Sequence, residues 1–131
     1  MPAQLGAFGV IVDDMARSLA FYRQLGIALP PDADEQPHVE AALAGGLKLL
    51  FDTVETIRSF DPDWQPPPDG AHRLELAFGL DTPAEVDELY ARLTSGGHHG
   101  YKEPWDAFWG QRYAIVHDPD GNSIALFSPT S

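Results

Sequence analysis

The chain presents the same order of local signals twice: a strand, a capped amphipathic helix, and then about three strands, the last of which follows a glycine-containing turn. The two halves cover about 1–61 and 71–131, and a proline-rich connection over 62–70 joins them. The single helix of a βαβββ module covers one face of its sheet, so the other face needs a second copy. We therefore predict one α+β domain over residues 1–131, in which duplicated βαβββ modules form a curved mixed sheet with a cleft and with helices on the outer face.

The first half opens with a predicted strand over Leu5–Val12. A helix follows, because two aspartates that can cap it precede apolar residues at steps of three and four, until Gly26 ends the pattern. Ile27–Leu29 is predicted to form a short strand that the next two prolines stop. Two further strands, His38–Ala44 and Leu47–Thr53, flank a two-glycine turn, which is typical of a hairpin.

The second half follows a segment without apolar periodicity, Val54–Gly70, which its prolines predict to be a stiff, irregular connection. A strand is then predicted over His72–Leu80. The segment Thr82–Glu85 has the composition of a capping box with proline at the first helical position, so a second helix begins there. Tyr101–Trp109 is predicted as a short strand that runs into an aromatic loop, and the last two strands are predicted over Gln111–His117 and Asn122–Ser128.

Charge and composition exclude several classes of function. Eight Lys and Arg against twenty Asp and Glu give a net charge of -12, which repels nucleic-acid phosphates and anionic lipid headgroups. The absence of cysteine rules out disulfides, thiolate nucleophiles and cysteine-bound metals. No basic leader with an apolar core opens the chain, and no apolar stretch reaches the roughly 18 residues that span a bilayer. We expect a cytoplasmic protein with no nucleic-acid or membrane partner.

Two parts of the sequence resemble the vicinal oxygen chelate superfamily, which contains glyoxalase I, ring-cleaving dioxygenases and the bleomycin-resistance binding proteins. The first part is Asp14–Gly26, and the second runs from Trp109–Ala114 to Asp118–Asn122. They resemble the opening helix and the closing hairpin of that family. The resemblance extends over nearly the whole chain and implies a single glyoxalase/bleomycin-resistance-like domain.

The resemblance also implies four positions at which the enzymes of the family hold a divalent metal on inward-facing His and Glu side chains. The matching residues here are Ala7, a residue near Lys48–Leu50, Glu75 and Ala125. Alanine has no ligand atom, and one carboxylate cannot hold a catalytic divalent ion. We therefore expect no cofactor. The alternative is a divalent metal at a remodelled site of His72 and Glu75, which needs a bulge because residues three apart on a strand face opposite sides.

Small and apolar side chains at alternate strand positions predict the lining of a ligand cavity. Glu75 is the single charge among them, and it either contacts a ligand or pairs with Arg73 or Arg112. The three predicted sets, each on one face of its strand, are Ala7, Gly9 and Ile11; Glu75, Ala77 and Gly79; and Ser123, Ala125 and Phe127.

Aromatic residues are dense near the end of the chain. Trp105, Phe108 and Trp109 lie within five positions, and Trp64 lies on the proline-rich connection. Aromatic rings on loops stack on planar ligands and attract cations, although they also fill cores and dimer seams. The candidate ligand-binding residues are Glu75, Trp64, Trp105, Phe108, Trp109, Arg112 and Phe127.

Within the family, Glu103–Trp105 and Trp109–Arg112 resemble closing elements of the bleomycin-resistance branch, with an additional segment at 106–108 between them. This resemblance implies a homodimeric, metal-independent binding protein that sequesters an aromatic or cationic compound, such as an antibiotic. One alternative is a metal-dependent lyase, isomerase or dioxygenase with Glu75 as its catalytic residue. Another is an interaction module whose aromatic residues bury in a partner protein. Whether the chain is an enzyme stays open at this point.

Overall fold

The structure is a computed structural model that describes residues 2–68 and 73–130. The chain divides into two units, Met1–Pro66 and Pro67–Ser131, and each has its own sheet. Both sheets contain parallel and antiparallel strand pairs, and each unit contains helices. The predicted α+β class is therefore confirmed. No helix in the described part of the chain is long and apolar enough to cross a membrane.

The first unit contains a three-stranded sheet in the order β1-β3-β2. β1 runs parallel to β3, and β2 runs antiparallel to it. Its helices and strands are β1 (Ala7–Val12), α1 (Met15–Gln24), β2 (His38–Ala42), β3 (Lys48–Thr53) and α2 (Val54–Arg58).

Helix α1 begins and ends at the residues that the sequence indicates. The side chain of Asp14 accepts a hydrogen bond from the backbone N–H of Arg17 at 3.1 Å, and Gly26 takes a positive φ of 96° just beyond the last turn. The buried ring of Tyr22 meets the buried ring of Phe51 on β3 edge-on, with their centroids 5.0 Å apart. The helix therefore packs on one face of the sheet.

Two predictions for the first unit are wrong. Ile27–Leu29 forms no strand, because Pro30 and Pro31 lack the N–H groups that would extend a ladder. A short 3-10 turn over Pro31–Glu35 follows instead, and Arg23 holds it by donating to the carbonyl of Pro30 and to Asp34, both at 2.8 Å.

The connection after β3 is also more regular than the sequence indicates. Val54–Arg58 forms helix α2, because the hydroxyl of Thr53 accepts a hydrogen bond from the backbone N–H of Thr56 at 3.2 Å and caps its first turn. One turn of helix is too short to produce apolar periodicity in the sequence.

The second unit contains a four-stranded sheet in the order β4-β7-β6-β5. β4 runs parallel to β7, and the other neighbours are antiparallel. Its elements are β4 (Glu75–Gly79), α3 (Pro83–Ser95), β5 (Gly100–Ala107), β6 (Gln111–His117) and β7 (Ser123–Pro129). This is the predicted βαβββ order.

The turn between β6 and β7 sets the register of the sheet. The buried carboxylate of Asp118 accepts hydrogen bonds from the backbone N–H of Asp120 at 2.9 Å and of Asn122 at 2.8 Å, and Gly121 takes a positive φ of 86°. This turn places His117 opposite Ser123, and every other pair of the two strands follows from that pairing.

Helix α3 has the capping box that the sequence predicts. The hydroxyl of Thr82 accepts the backbone N–H of Glu85 at 3.3 Å, and the Glu85 carboxylate accepts the backbone N–H of Thr82 at 3.0 Å. We expect Thr82→Ala to lower the free energy of unfolding by about 1 kcal/mol, because the lost hydroxyl accepts the backbone N–H of Glu85 and donates to the Glu85 carboxylate at 3.0 Å. Urea denaturation measures this change. Thr82→Ser keeps the hydroxyl and is the control, so equal stability of the two variants would contradict the prediction.

Candidate functional site

The second sheet has one face toward α3 and one away from it. Arg112 on β6 donates to Asp87 on α3 at 3.0 Å, which shows that this position of β6 faces the helix. Because side chains alternate along a strand, the neighbouring Tyr113 faces away from α3. Cross-strand pairing then assigns Phe127, the partner of Tyr113, and Gly79, the partner of Phe127, to the same face.

Glu75 lies on this face and is bound by two hydroxyl groups from other strands. Its carboxylate accepts hydrogen bonds from Tyr113 and from Ser123, each at 2.9 Å. The alternative that Glu75 pairs with Arg112 is wrong, because Arg112 lies on the opposite face of the sheet and binds Asp87 and Asp106. The carboxylate of Glu75 is therefore paired with two hydroxyl groups and not with the guanidinium of Arg112.

The side chain of Tyr113 on β6 crosses β7 to reach Glu75 on β4. Its backbone pairs with Phe127, while its hydroxyl reaches Glu75, whose backbone pairs with Ser123. Ala125 is the residue of β7 between these two pairs on the same face, and it is fully buried. The small side chain of Ala125 therefore leaves room for the phenol to cross β7.

The phenol of Tyr113 is held in its protonated form. Burial, then the hydrogen bond to Glu75 and the charge of that carboxylate, together raise the pKa of Tyr113 to about 12. Tyr113 is thus the hydrogen-bond donor of the pair, and Glu75 is the acceptor.

Aromatic rings surround Tyr113. The ring centroid of Trp105 lies 5.4 Å from that of Tyr113, and the centroid of Trp109 lies 5.3 Å from it, both edge-to-face. The ring of Phe127 stacks on that of Tyr113, with the two centroids 6.5 Å apart. We call this surface the aromatic face, and it consists of Glu75, Trp105, Trp109, Tyr113 and Phe127.

The aromatic face is accessible. Trp109 is 49% exposed, and its indole N–H donates to Gln111 at 2.8 Å, which orients the ring. Phe108, 97% exposed, touches Trp109 edge-on at the tip of the β5–β6 hairpin. On β5, the ammonium of Lys102 lies over the ring of Trp105, 4.6 Å from its centroid.

The structure brings together some of the candidates from the sequence and separates others. Glu75, Trp105, Trp109 and Phe127 share the aromatic face, and Phe108 adjoins it. Arg112 lies on the helix side of the same sheet. The other candidates lie elsewhere: Trp64 belongs to the first unit, where the guanidinium of Arg58 covers its ring at 5.9 Å, and His72 is outside the described residues.

Tyr113 is the residue that sequence reasoning missed as a member of the site. Two signals could have found it. Alternation of side chains along Gln111–His117 places Tyr113 and Arg112 on opposite faces of the strand. The turn at Asp118 predicts that Tyr113 pairs with Phe127, which the sequence had already marked as a candidate ligand-binding residue.

The first sheet has a polar face, which is opposite to the face on which Leu49 and Phe51 are buried. Four polar side chains form a chain of hydrogen bonds across β2 and β3, and we call this surface the charged face. The contacts are Asp52 Oδ1 to His38 Nδ1 at 2.5 Å, His38 Nε2 to Glu40 Oε2 at 2.9 Å, and Lys48 Nζ to Glu40 Oε1 at 3.0 Å.

These contacts shift the pKa values of two groups on the charged face. Hydrogen bonds to Glu40 and Asp52 raise the pKa of His38, and hydrogen bonds from His38 and Lys48 lower the pKa of Glu40. This group was not predicted from the sequence, although the hairpin register around the two-glycine turn places His38 opposite Asp52.

The registers of the strands locate the four positions at which the resemblance implies a metal. Ala7 and Glu75 each lie seven residues before the N-cap of the following helix, and they are thus equivalent. On the partner strands, Leu50 is paired with Gly9, and Ala125 with Ala77, which makes Leu50 and Ala125 equivalent.

The residues at these positions do not fit a divalent metal. Ala7, Leu50 and Ala125 have no ligand atom, and the Glu75 carboxylate already accepts two hydroxyl groups. No group of three or more His, Cys, Asp and Glu in the parts of the chain that are described could hold a metal ion. On the charged face, the two carboxylates contact opposite nitrogens of His38, so the three groups do not converge on one point.

A protein-family model matches nearly the whole chain. The model of the Glyoxalase/Bleomycin resistance protein/Dioxygenase superfamily matches residues 4–126. Among curated proteins, none matches the sequence significantly.

Solved structures resemble the chain along nearly its whole length. A glyoxalase/bleomycin resistance protein/dioxygenase family enzyme from Burkholderia phytofirmans PsJN is 19% identical, with 97% of this chain and 99% of that chain covered and a TM-score of 0.79. A glyoxalase-related enzyme from Fulvimarina pelagi is 20% identical, with coverages of 95% and 87% and a TM-score of 0.77. A lactoylglutathione lyase from Agrobacterium tumefaciens is 22% identical, with coverages of 98% and 95% and a TM-score of 0.64. At these identities the likeness shows the fold alone.

The charged face predicts a pH-dependent contribution to stability. Because the pKa of His38 is raised in the folded chain, its contribution is complete below about pH 6.5 and is lost as the pH rises through the folded value. We expect His38→Gln to be less stable than the native chain at pH 5.5, and the difference to shrink by pH 8.5. Urea denaturation across this range measures it, and a difference that grows with pH would contradict the assignment.

The Glu75–Tyr113 contact predicts a shift in the titration of one tyrosine. In Glu75→Gln the carboxylate charge is gone, while burial of the phenol persists. The pKa of Tyr113 should therefore fall from about 12 but stay above 10. NMR of tyrosine labelled with 13C at Cζ measures this value, and Tyr113→Phe assigns the signal. An unchanged titration in Glu75→Gln would show that the two groups do not interact in solution.

Proposed function

Because the chain belongs to the glyoxalase/bleomycin resistance protein/dioxygenase superfamily, we propose that it is a metal-independent binding protein that holds an aromatic or cationic small molecule on the aromatic face. In this proposal it acts in the cytoplasm as a homodimer and sequesters its ligand, as an antibiotic-resistance protein does. The observation that carries the proposal is the group of Trp105, Trp109 and Phe127 around Tyr113, with Glu75 bound to the Tyr113 hydroxyl.

The geometry of the rings supports a planar ligand. Trp109 exposes 49% of its surface and is oriented by its hydrogen bond to Gln111. An oriented ring loses little conformational freedom on binding, and its exposed apolar area is removed from water when a ligand stacks on it. Aromatic pairs contribute about 0.5–1.5 kcal/mol beyond the area they bury.

Charge favours a ligand with a positive group. The chain carries a net charge of -12, so a cation is attracted over long range. At short range, Tyr113 and Ser123 take two of the roughly four acceptor positions of the Glu75 carboxylate and fix its orientation. The remaining positions are available to the N–H groups of a ligand.

The donor set supports independence from metal. Residues without ligand atoms stand at three of the four positions that the family enzymes use, and sequestration needs affinity without any transition state to stabilise. The sequence left a metal-dependent lyase, isomerase or dioxygenase as an alternative. That enzyme would need Glu75 together with His72 as its metal ligands.

Calorimetric titration with two matched planar probes tests the proposal. We expect both 1-methylquinolinium and the neutral 4-methylquinoline to bind at one site per chain. The cation should bind more tightly because the net charge of -12 attracts it, and since it has no N–H group, the difference reports charge and not a hydrogen bond to Glu75. Trp109→Leu should weaken both probes about fivefold, because one ring contact is lost. Phe60→Leu removes an exposed ring of the first unit and is the control.

The same titration, repeated with chelator and with added metal and combined with an assay of turnover, separates the proposal from the enzymatic alternative. Affinities that are equal in EDTA and in added zinc or manganese support metal-independent binding. Failure of both probes to bind contradicts the proposal. Substrate turnover that a chelator abolishes and added metal restores would favour the metal-dependent enzyme.

A further inference from the structure

We propose that the face of Trp105 covered by Lys102 binds a quaternary, methylated ammonium group of the ligand, and that Lys102 occupies this position until the ligand displaces it. We call this ring face the cation seat. The inference rests on the proposed function and deepens it, because it names the class of cation and a residue that sets the affinity for it.

The contact between the two side chains is built by an irregularity of strand β5. Lys102 and Trp105 are three positions apart, so a regular strand would point them to opposite faces. The register of β5 against β6 shifts between Gly100 and Lys102 and again between Lys102 and Trp105. These shifts bring the ammonium over the ring, 4.6 Å from the centroid, which is within the range of a cation–π contact.

The position of the seat connects it to the rest of the site. Trp105 pairs with Tyr113 across the strands and meets it edge-to-face, and its ring also contacts Trp109 edge-on at 6.2 Å. Lys102 pairs with Ile115, which has the same orientation on β6 as Tyr113. A ligand ring stacked on this surface can therefore carry a cationic substituent to Trp105.

The contact is weak enough to be replaced. At an exposed site a cation–π contact changes a binding constant by roughly two- to fivefold, and the ammonium of Lys102 gains full hydration when it leaves the ring. Lys102 therefore covers the Trp105 ring without preventing a ligand cation from binding there.

The chemistry of the two acceptors separates two kinds of cation. Glu75 accepts hydrogen bonds, so it favours a cation with N–H groups. A quaternary ammonium has no N–H to donate, and aromatic ring faces are the groups that recognise it. A quaternary ammonium therefore binds preferentially at Trp105, and Lys102 is the residue that competes with it.

Titration of Lys102→Gln with two cations of equal charge tests the inference. Benzyltrimethylammonium and benzylammonium share a ring and a charge, and they differ in methylation. We expect Lys102→Gln to bind benzyltrimethylammonium about three- to fivefold more tightly than the native chain does, and to change benzylammonium by less than about twofold. NMR titration measures both constants. Arg92→Gln removes one positive charge from α3 and is the control for a general charge effect.

The ring itself is tested by a second substitution and by a signal of Lys102. In Trp105→Leu, the further change Lys102→Gln should give no gain for either probe. In the native chain, the ε-methylene protons of Lys102 should be shifted upfield by the Trp105 ring and return toward their usual position as benzyltrimethylammonium saturates it. This second measurement requires no substitution.

Two results would overturn the inference. One is an equal gain for both probes in Lys102→Gln, which would mark a general charge effect. The other is an upfield shift of the Lys102 signals that persists at saturation. Should either occur while the quinoline probes still bind, the proposed function stands and the cation seat does not. If neither the quinoline nor the benzyl probes bind, both fail.

Discussion

The carboxylate of Glu75, bound by the hydroxyls of Tyr113 and Ser123, ties together three strands of the second sheet on the face turned away from α3. The partners lie 38 and 48 positions away in sequence, so only the sheet brings them together. Since this contact directs the phenol across β7, it also fixes the point around which Trp105 and Trp109 pack. The aromatic face depends on it.

The two units share one plan and differ in what they expose. In both, the first strand pairs in parallel with the last, and a helix covers one face. On the exposed face, the first unit carries the hydrogen-bonded chain from Asp52 to Lys48, whereas the second carries rings around Tyr113. The four positions at which the resemblance implies a metal lie on these same faces. Ala125 is one of them, and its short side chain has no ligand atom and leaves room for the phenol that binds Glu75.

Local irregularity matters as much as the shared plan. The register shifts in β5 put Lys102 and Trp105 on one face, where alternation alone would have separated them. In the first unit, Pro30 and Pro31 remove a strand that the second unit has, and a turn held by Arg23 takes its place. Each departure follows from a specific backbone constraint, and each changes which side chains the sheet presents.

The sequence by itself determined the features that depend on neighbours along the chain: the caps at Asp14 and Thr82, the glycine turns, the alternation of β4 and β7, and the lack of ligand atoms at Ala7 and Ala125. Only the tertiary structure decided that Glu75 meets Tyr113 while Arg112 lies on the opposite face. Caps and turns are satisfied within about four residues, whereas a cross-strand contact depends on the register of strands that are distant in sequence. A shift of one residue moves every side chain to the other face, so contacts of the second kind become visible only once the sheet is formed.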